Sequence, residues 1–149
     1  VNELAGKTPA EIEALYRQPR NLFVPSGVFR GRHLFWLDTE GARDPLLRPV
    51  IELFFARLTF HVDFEKKRWF WFDRRLGLGH FQASIGPSRW RDTDTIRLLY
   101  DDRLLPGWVN QGLYDEVLPL DENVCLGLGG VNGRRGRGDH FFFSLTRVA

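Results

Sequence analysis

Along most of this chain apolar and polar residues alternate with a period of two, and short clusters of turn residues break the alternation. Gly27–Leu37 is the clearest case: Phe29, Gly31, His33 and Phe35 fall on one face, Arg30 and Arg32 on the other. The arginines mark their face as the exterior, although Trp36 shares it. Strand-like chemistry returns at Leu58–Phe64, Arg68–Phe72, Leu78–Ile85, Arg89–Tyr100, Tyr114–Pro119, Val124–Gly129 and His140–Val148. Between these runs lie Glu65-Lys66-Lys67, Asp73-Arg74-Arg75, Gly86-Pro87, Leu105-Pro106-Gly107 and Asp121-Glu122-Asn123, all turn material. About eight short strands predict a mainly β domain, an antiparallel up-and-down barrel or strongly curved sheet in which the first and last strands close the structure.

Helical signals are confined to the first part of the chain. Thr8-Pro9-Ala10-Glu11 has the form of a capping box with proline at the first helical position, and Ile12, Leu15 and Tyr16 follow on one face. Asp44-Pro45 opens a second candidate, residues 44–58, whose Val50, Ile51, Phe54, Phe55 and Leu58 recur at helical spacing and suit it to cap a barrel end. The 149 residues read as a single domain, with 1–26 as an N-terminal helix and lead-in, and without internal repeat or linker. A chain of this size buries roughly 68–70% of its unfolded surface, so no disulfide or metal staple is needed.

Composition narrows the function classes. The single cysteine, Cys125, excludes an internal disulfide and a cysteine-rich zinc site, and its apolar neighbours suit a packed thiol. With neither a signal-peptide pattern nor an apolar run of transmembrane length, a reducing, cytoplasmic setting is expected. The net charge of +2 comes from 21 basic and 19 acidic residues, mostly intermixed, which is a poor nucleic-acid footprint. One basic stretch, Asn132–Gly138 with Arg134, Arg135 and Arg137, fits either a solvated hairpin connection or a contact for an acidic partner. Thirteen Phe, five Trp and three Tyr exceed the needs of one small core, and rigid aromatic walls suit a cavity for an apolar ligand.

Gly27-Val28-Phe29-Arg30-Gly31-Arg32 resembles the GXWXG motif of small lipocalin-like bacterial and plant proteins, with Phe29 in place of the tryptophan. Leu99–Leu105, Tyr114–Val117, Val124–Gly129 and His140–Arg147 are similar to that family's closing segments in order and spacing, while Arg68–Phe72 matches its middle strands only loosely. The resemblance implies a calycin-type β-barrel with an apolar interior. It brings no activity with it.

Candidate chemistry concentrates at one corner. Tyr100-Asp101-Asp102 ends a long strand, where a phenol and carboxylates can act as acid and base at a barrel mouth, or simply form the turn. Parity groups Trp90, Ile96, Leu98 and Tyr100 on one face, opposite Arg91 and Arg97. His33, His61, His80 and His140 show no close-spaced metal motif; His33, placed beside Phe29 and Phe35, suits an interior hydrogen-bonded histidine or a ligand-binding, acid–base or haem-ligating role. Gly127-Leu128-Gly129-Gly130 lacks the helix and Lys-Ser/Thr pair of a phosphate loop, and no serine sits in a nucleophile elbow.

The leading expectation is therefore a cofactor-free barrel holding a small hydrophobic ligand, with Phe29, His33, Phe35, Trp71, Trp90 and Tyr100 as wall residues and no metal. An alternative in the enzyme class is a cofactor-independent isomerase, cyclase or dehydratase acting on a hydrophobic metabolite in the same cavity, with Tyr100, Asp101, Glu116 and His33 supplying acid and base. A third is a solid barrel that works as an interaction module through the basic 134–137 loop. The sequence leaves enzyme or carrier open, and the oligomeric state with it.

Overall fold

Glycine placement explains how so many large rings share one barrel. The computed structural model describes residues 4–37, 60–131 and 140–148. The expected end-capping helix at 44–58 and the basic 134–137 loop lie outside the described residues. Helix α1 (Pro9–Tyr16) starts at the expected capping box: Thr8 Oγ1 accepts from the Glu11 amide, and the Glu11 carboxylate accepts from the Thr8 amide at 2.7 Å. Strands β1 (Val28–Leu37), β2 (Phe60–Asp63), β3 (Arg68–Trp71), β4 (Leu76–Pro87) and β5 (Asp94–Tyr100) follow, then the short helix α2 (Gly107–Gly112) and strands β6 (Leu113–Pro119), β7 (Val124–Val131) and β8 (His140–Arg147).

Each strand pairs antiparallel with the next, and β8 returns to β1, closing the barrel. The architecture is the lipocalin-like up-and-down barrel that the alternation predicts. On the inner face a Cβ at Gly31 would lie 1.8 Å from the Phe60 ring, and one at Gly127 2.1 Å from the Phe143 ring. Those two positions lend their volume to large aromatic neighbours across the sheet. The lumen is filled toward the end where β1 begins: Phe29, Phe64, Ile96, Val117, Cys125 and Leu145 are all buried there. Arg147 stacks over the Phe29 ring at 5.1 Å and closes that end. Burial pushes the Cys125 thiol up to about 12, the property of a packing residue rather than a nucleophile.

A second apolar cluster lies on the outside. Ile12 and Tyr16 of α1 cover Leu118, Leu126, Leu128 and Phe142 on the outer faces of β6, β7 and β8. Those strands are therefore buried on both faces, which removes the simple inside–outside alternation from their sequences.

Two local features depart from the expected strand parity. A register shift between His33 and Phe35 turns the end of β1: His33 pairs with Phe143, Phe35 with Phe142 and Trp36 with Phe141. Phe35 thus moves to the outer cluster and Trp36 to the lumen. The run expected as one strand from Arg89 to Tyr100 begins only at Asp94. Ser88 Oγ accepts from the amides of Trp90 (3.1 Å) and Arg91 (2.9 Å), and this side-chain turn competes with the ladder.

Candidate functional site

The strands end at an upper rim formed by Leu37, Trp71, Leu76, Tyr100 and Leu113, and beneath it the inward side chains change character. His33, Trp36, Trp71, Tyr100, Asp115 and Phe141 keep part of their surface accessible, whereas the rings below them are sealed. Among the described residues, the partly accessible inward side chains are thus gathered at this end of the barrel. Its wall is aromatic: Phe141 lies 5.2 Å from Trp36, 5.5 Å from His33 and 5.9 Å from Phe143, and Trp69 stacks on Trp71 with centroids 6.4 Å apart. The Trp71 indole N–H donates to the Leu78 carbonyl at 2.9 Å, which fixes the ring.

One polar pair sits in this setting. The Tyr100 hydroxyl donates to Asp115 Oδ2 across neighbouring strands β5 and β6. Asp115 fits because residue 129 on β7 is glycine: a Cβ there would lie 2.1 Å from Asp115 Oδ1 and 3.2 Å from the Phe141 ring. Burial is the main cause that pushes Asp115 up to about 7; the Tyr100 hydrogen bond acts against it, and the nearby Glu116 charge adds to it. Burial and the Asp115 charge together hold the Tyr100 phenol well above its usual value. The arrangement is a carboxyl that takes or gives a proton near neutrality, beside a phenol that stays protonated. At Gly79, where φ is +104°, a Cβ would fall between Trp69 (3.3 Å) and Tyr100 (3.4 Å), so backbone without a side chain lets the indole and phenol edges converge.

The residues anticipated from the sequence separate into three places. His33, Trp71 and Tyr100 line the upper lumen, and Phe29 faces inward but lies in its filled floor, edge-on to Phe64 at 5.5 Å. Phe35 and Trp90 are corrections: both lie outside the barrel wall, Phe35 against Phe142 at 5.4 Å and Trp90 against Tyr114 and His140 at 4.9 and 4.3 Å. The causes are the β1 register shift and the Ser88 turn. Asp101 and Glu116 are likewise separated from Tyr100's hydroxyl. Asp101 is exposed beside the rim, where it meets His80 Nδ1 at 2.5 Å and accepts from Gln82 at 3.0 Å, and these bonds hold its carboxyl below the usual range. Its neighbour Asp102 forms the turn, accepting from the amides of Gly79, His80 and Leu104 at 2.7–2.8 Å.

Glu116 is fully buried on the outer side of β6, beneath α1. It accepts from Tyr16 (2.8 Å) and Tyr114 (2.7 Å) hydroxyls, from the Arg89 amide (3.2 Å) and from Ser88 Oγ. Four donors satisfy this carboxylate, and Tyr16 ties the helix to the barrel through it. Trp36, Asp115 and Phe141 are the lumen residues that sequence reasoning missed. Asp115 shares parity with Val117, and the alternate glycines 127 and 129 on the paired strand were the signal for space beside it. Among the described residues no group of three or more His, Cys, Asp or Glu converges to hold a metal ion, and no helix is long and apolar enough to cross a membrane.

No family model and no curated protein matches the chain. Among solved structures, a protein from Thermomonospora curvata is similar: the TM-score is 0.51 at 18% identity, over 96% of this chain and 89% of that one. Likeness at that identity concerns the fold alone, and the barrel is common to both.

Proposed function

We propose that the barrel binds a small apolar or aromatic molecule in its upper lumen, with the Tyr100–Asp115 pair as the polar contact that orients it. The observation that carries this reading is the combination of accessible rings, Trp36, Trp71 and Phe141, with one polar pair facing the same space. Ligand sites are mostly apolar with a few placed polar groups, and a solid barrel has no use for an accessible inward carboxyl. We read Gly27–Gly31 as the GXWXG motif in this frame. Gly27 takes φ +86° and Gly31 makes room for Phe60, which supports that reading of the two glycines. A reducing, cytoplasmic setting accords with the lone packed Cys125. Quenching or shift of tryptophan emission on titration with a panel of aromatic and alicyclic compounds tests the binding. Saturable responses that Trp71→Leu diminishes support it; a flat response across the panel overturns it.

A second reading is favoured by one observation, the proton affinity of Asp115 near neutrality. A cofactor-independent isomerase, cyclase or dehydratase needs an apolar pocket, one group that takes up a proton and one that donates it. Asp115 and Tyr100 supply both, in place of the Asp101 and Glu116 expected from sequence. Turnover of the eventual substrate should fall at least a hundredfold in Asp115→Asn, and parental rates in that variant reject the enzymatic reading.

A further inference from the structure

The lumen contains a carboxyl whose charge nothing in the described barrel balances. Above Arg147, which is committed to the floor over Phe29, no arginine or lysine on the described strands faces inward. The arginines of β1, Arg30 and Arg32, are exposed, and Arg68 and Arg97 share the outward parity of their strands. Asp115 takes one hydrogen bond, from Tyr100 to Oδ2; Oδ1 has no donor among the described residues and is not sealed from solvent. This oxygen lies beside the Phe141 ring at Gly129, in the same half of the lumen as Trp36 and Trp71.

We propose that the group recognised here is an organic cation, a protonated or quaternary nitrogen on an apolar or aromatic body, held between Asp115 Oδ1 and the surrounding ring faces. The proposal rests on the lumen-binding reading above and names the class of its ligand. Ring faces carry negative quadrupole potential, so they attract an ammonium group and repel an anion. The unpaired carboxylate oxygen supplies the matching full charge, and the burial of its carboxyl makes that charge act more strongly than at a surface. The same features disfavour a carboxylate or phosphate ligand, which would meet Asp115 with no cation between them. A neutral hydrocarbon could fill the space but would leave Oδ1 without a partner. At pH 8 Asp115 is ionised, Tyr100 is not, and among the described residues the other titratable groups to consider are His33, inward on β1, and Glu116 outside the wall.

Three probes of matched size separate these possibilities on the wild-type protein: benzyltrimethylammonium, its neutral carbon isostere neopentylbenzene, and the anion phenylacetate, each titrated at pH 8 and low salt. The expected result is a Kd at least tenfold lower for the ammonium than for the neutral probe, with phenylacetate weakest. Asp115→Asn should erase the preference by weakening the cation alone. If that variant fails to fold, Trp71→Leu keeps the charge, removes a ring face, and should cost the cation threefold or more in affinity relative to the neutral probe. A neutral probe that binds as tightly as the ammonium, or a preference that survives Asp115→Asn, overturns the cation assignment and leaves the lumen reading standing. Failure of all three probes to bind overturns both.

Discussion

Replacing Asp115 by asparagine should alter how stability depends on pH, in a direction opposite to that of a usual carboxylate. An aspartate in the unfolded chain titrates near 3.9, whereas the folded barrel holds Asp115 up to about 7. Between those values the native state retains a proton that the unfolded state has lost, so stability falls as pH rises. The interval spans about three pH units at about 1.4 kcal/mol each, which gives a loss of about 4 kcal/mol between pH 4 and pH 7 and none beyond it. Asparagine has nearly the same volume, offers an oxygen to the Tyr100 hydroxyl and cannot ionise. Urea melts of both proteins at each pH from 4 to 8 isolate the effect, because the other titrating groups cancel in the difference. Tyr100 does not enter, since its phenol stays protonated throughout this range. Wild type minus Asp115→Asn should decline by about 4 kcal/mol from pH 4 to 7 and then level off. A difference that stays flat, or rises with pH, refutes the placement of Asp115 in a desolvated lumen.

Other substitutions probe the remaining parts of the account. Gly31→Ala places a methyl within 1.8 Å of the Phe60 ring and should cost about 1–3 kcal/mol in denaturant melts, although the residue added is a better chain former. Tyr16→Phe withdraws one donor from buried Glu116 and should cost about 1.5–3 kcal/mol without changing probe binding in the lumen. Phe35→Ala should lower stability by about 2 kcal/mol, less than a fully buried phenylalanine, and leave ligand responses unchanged, whereas Trp36→Ala should alter them. An altered response in Phe35→Ala alone would reverse the assignment of faces at the end of β1.

The barrel was legible because alternation and turn residues are short-range signals, and eight antiparallel strands joined mostly by tight connections need little else. The capping box of α1 was legible for the same reason. Facing was harder. One residue of register shift after His33 exchanges Phe35 and Trp36, and nothing in Leu34-Phe35-Trp36-Leu37, apolar throughout, marks which ring belongs inside. Trp90 departs from strand parity because Ser88 Oγ accepts from the amides of Trp90 and Arg91, a local competition invisible to a period-two count. On β6 the difficulty was burial on both faces: Tyr114, Glu116 and Leu118 lie under α1 and Ser88, so the strand carries polar and apolar residues on either side.

That strand holds the contrast on which the functional reading turns. Asp115 and Glu116 are neighbours in sequence, and the pleat sends them to opposite faces of one sheet. Glu116, outside, accepts from two phenols, a hydroxyl and a backbone amide, and with that many donors the buried carboxylate serves as a fastening for α1. Asp115, inside, has a single donor among the described residues, and its Oδ1 lies beside the Phe141 ring. A barrel that needed this carboxyl only for its fold would satisfy it as it satisfies Glu116, since an under-bonded desolvated carboxyl works against stability at neutral pH. The glycine at 129 sharpens the point, because an alanine there would collide with Asp115 Oδ1 at 2.1 Å. Among the described residues the fold therefore keeps space for a carboxyl it leaves half-satisfied, and on the lumen-binding proposal the remaining partner is the group that enters the lumen.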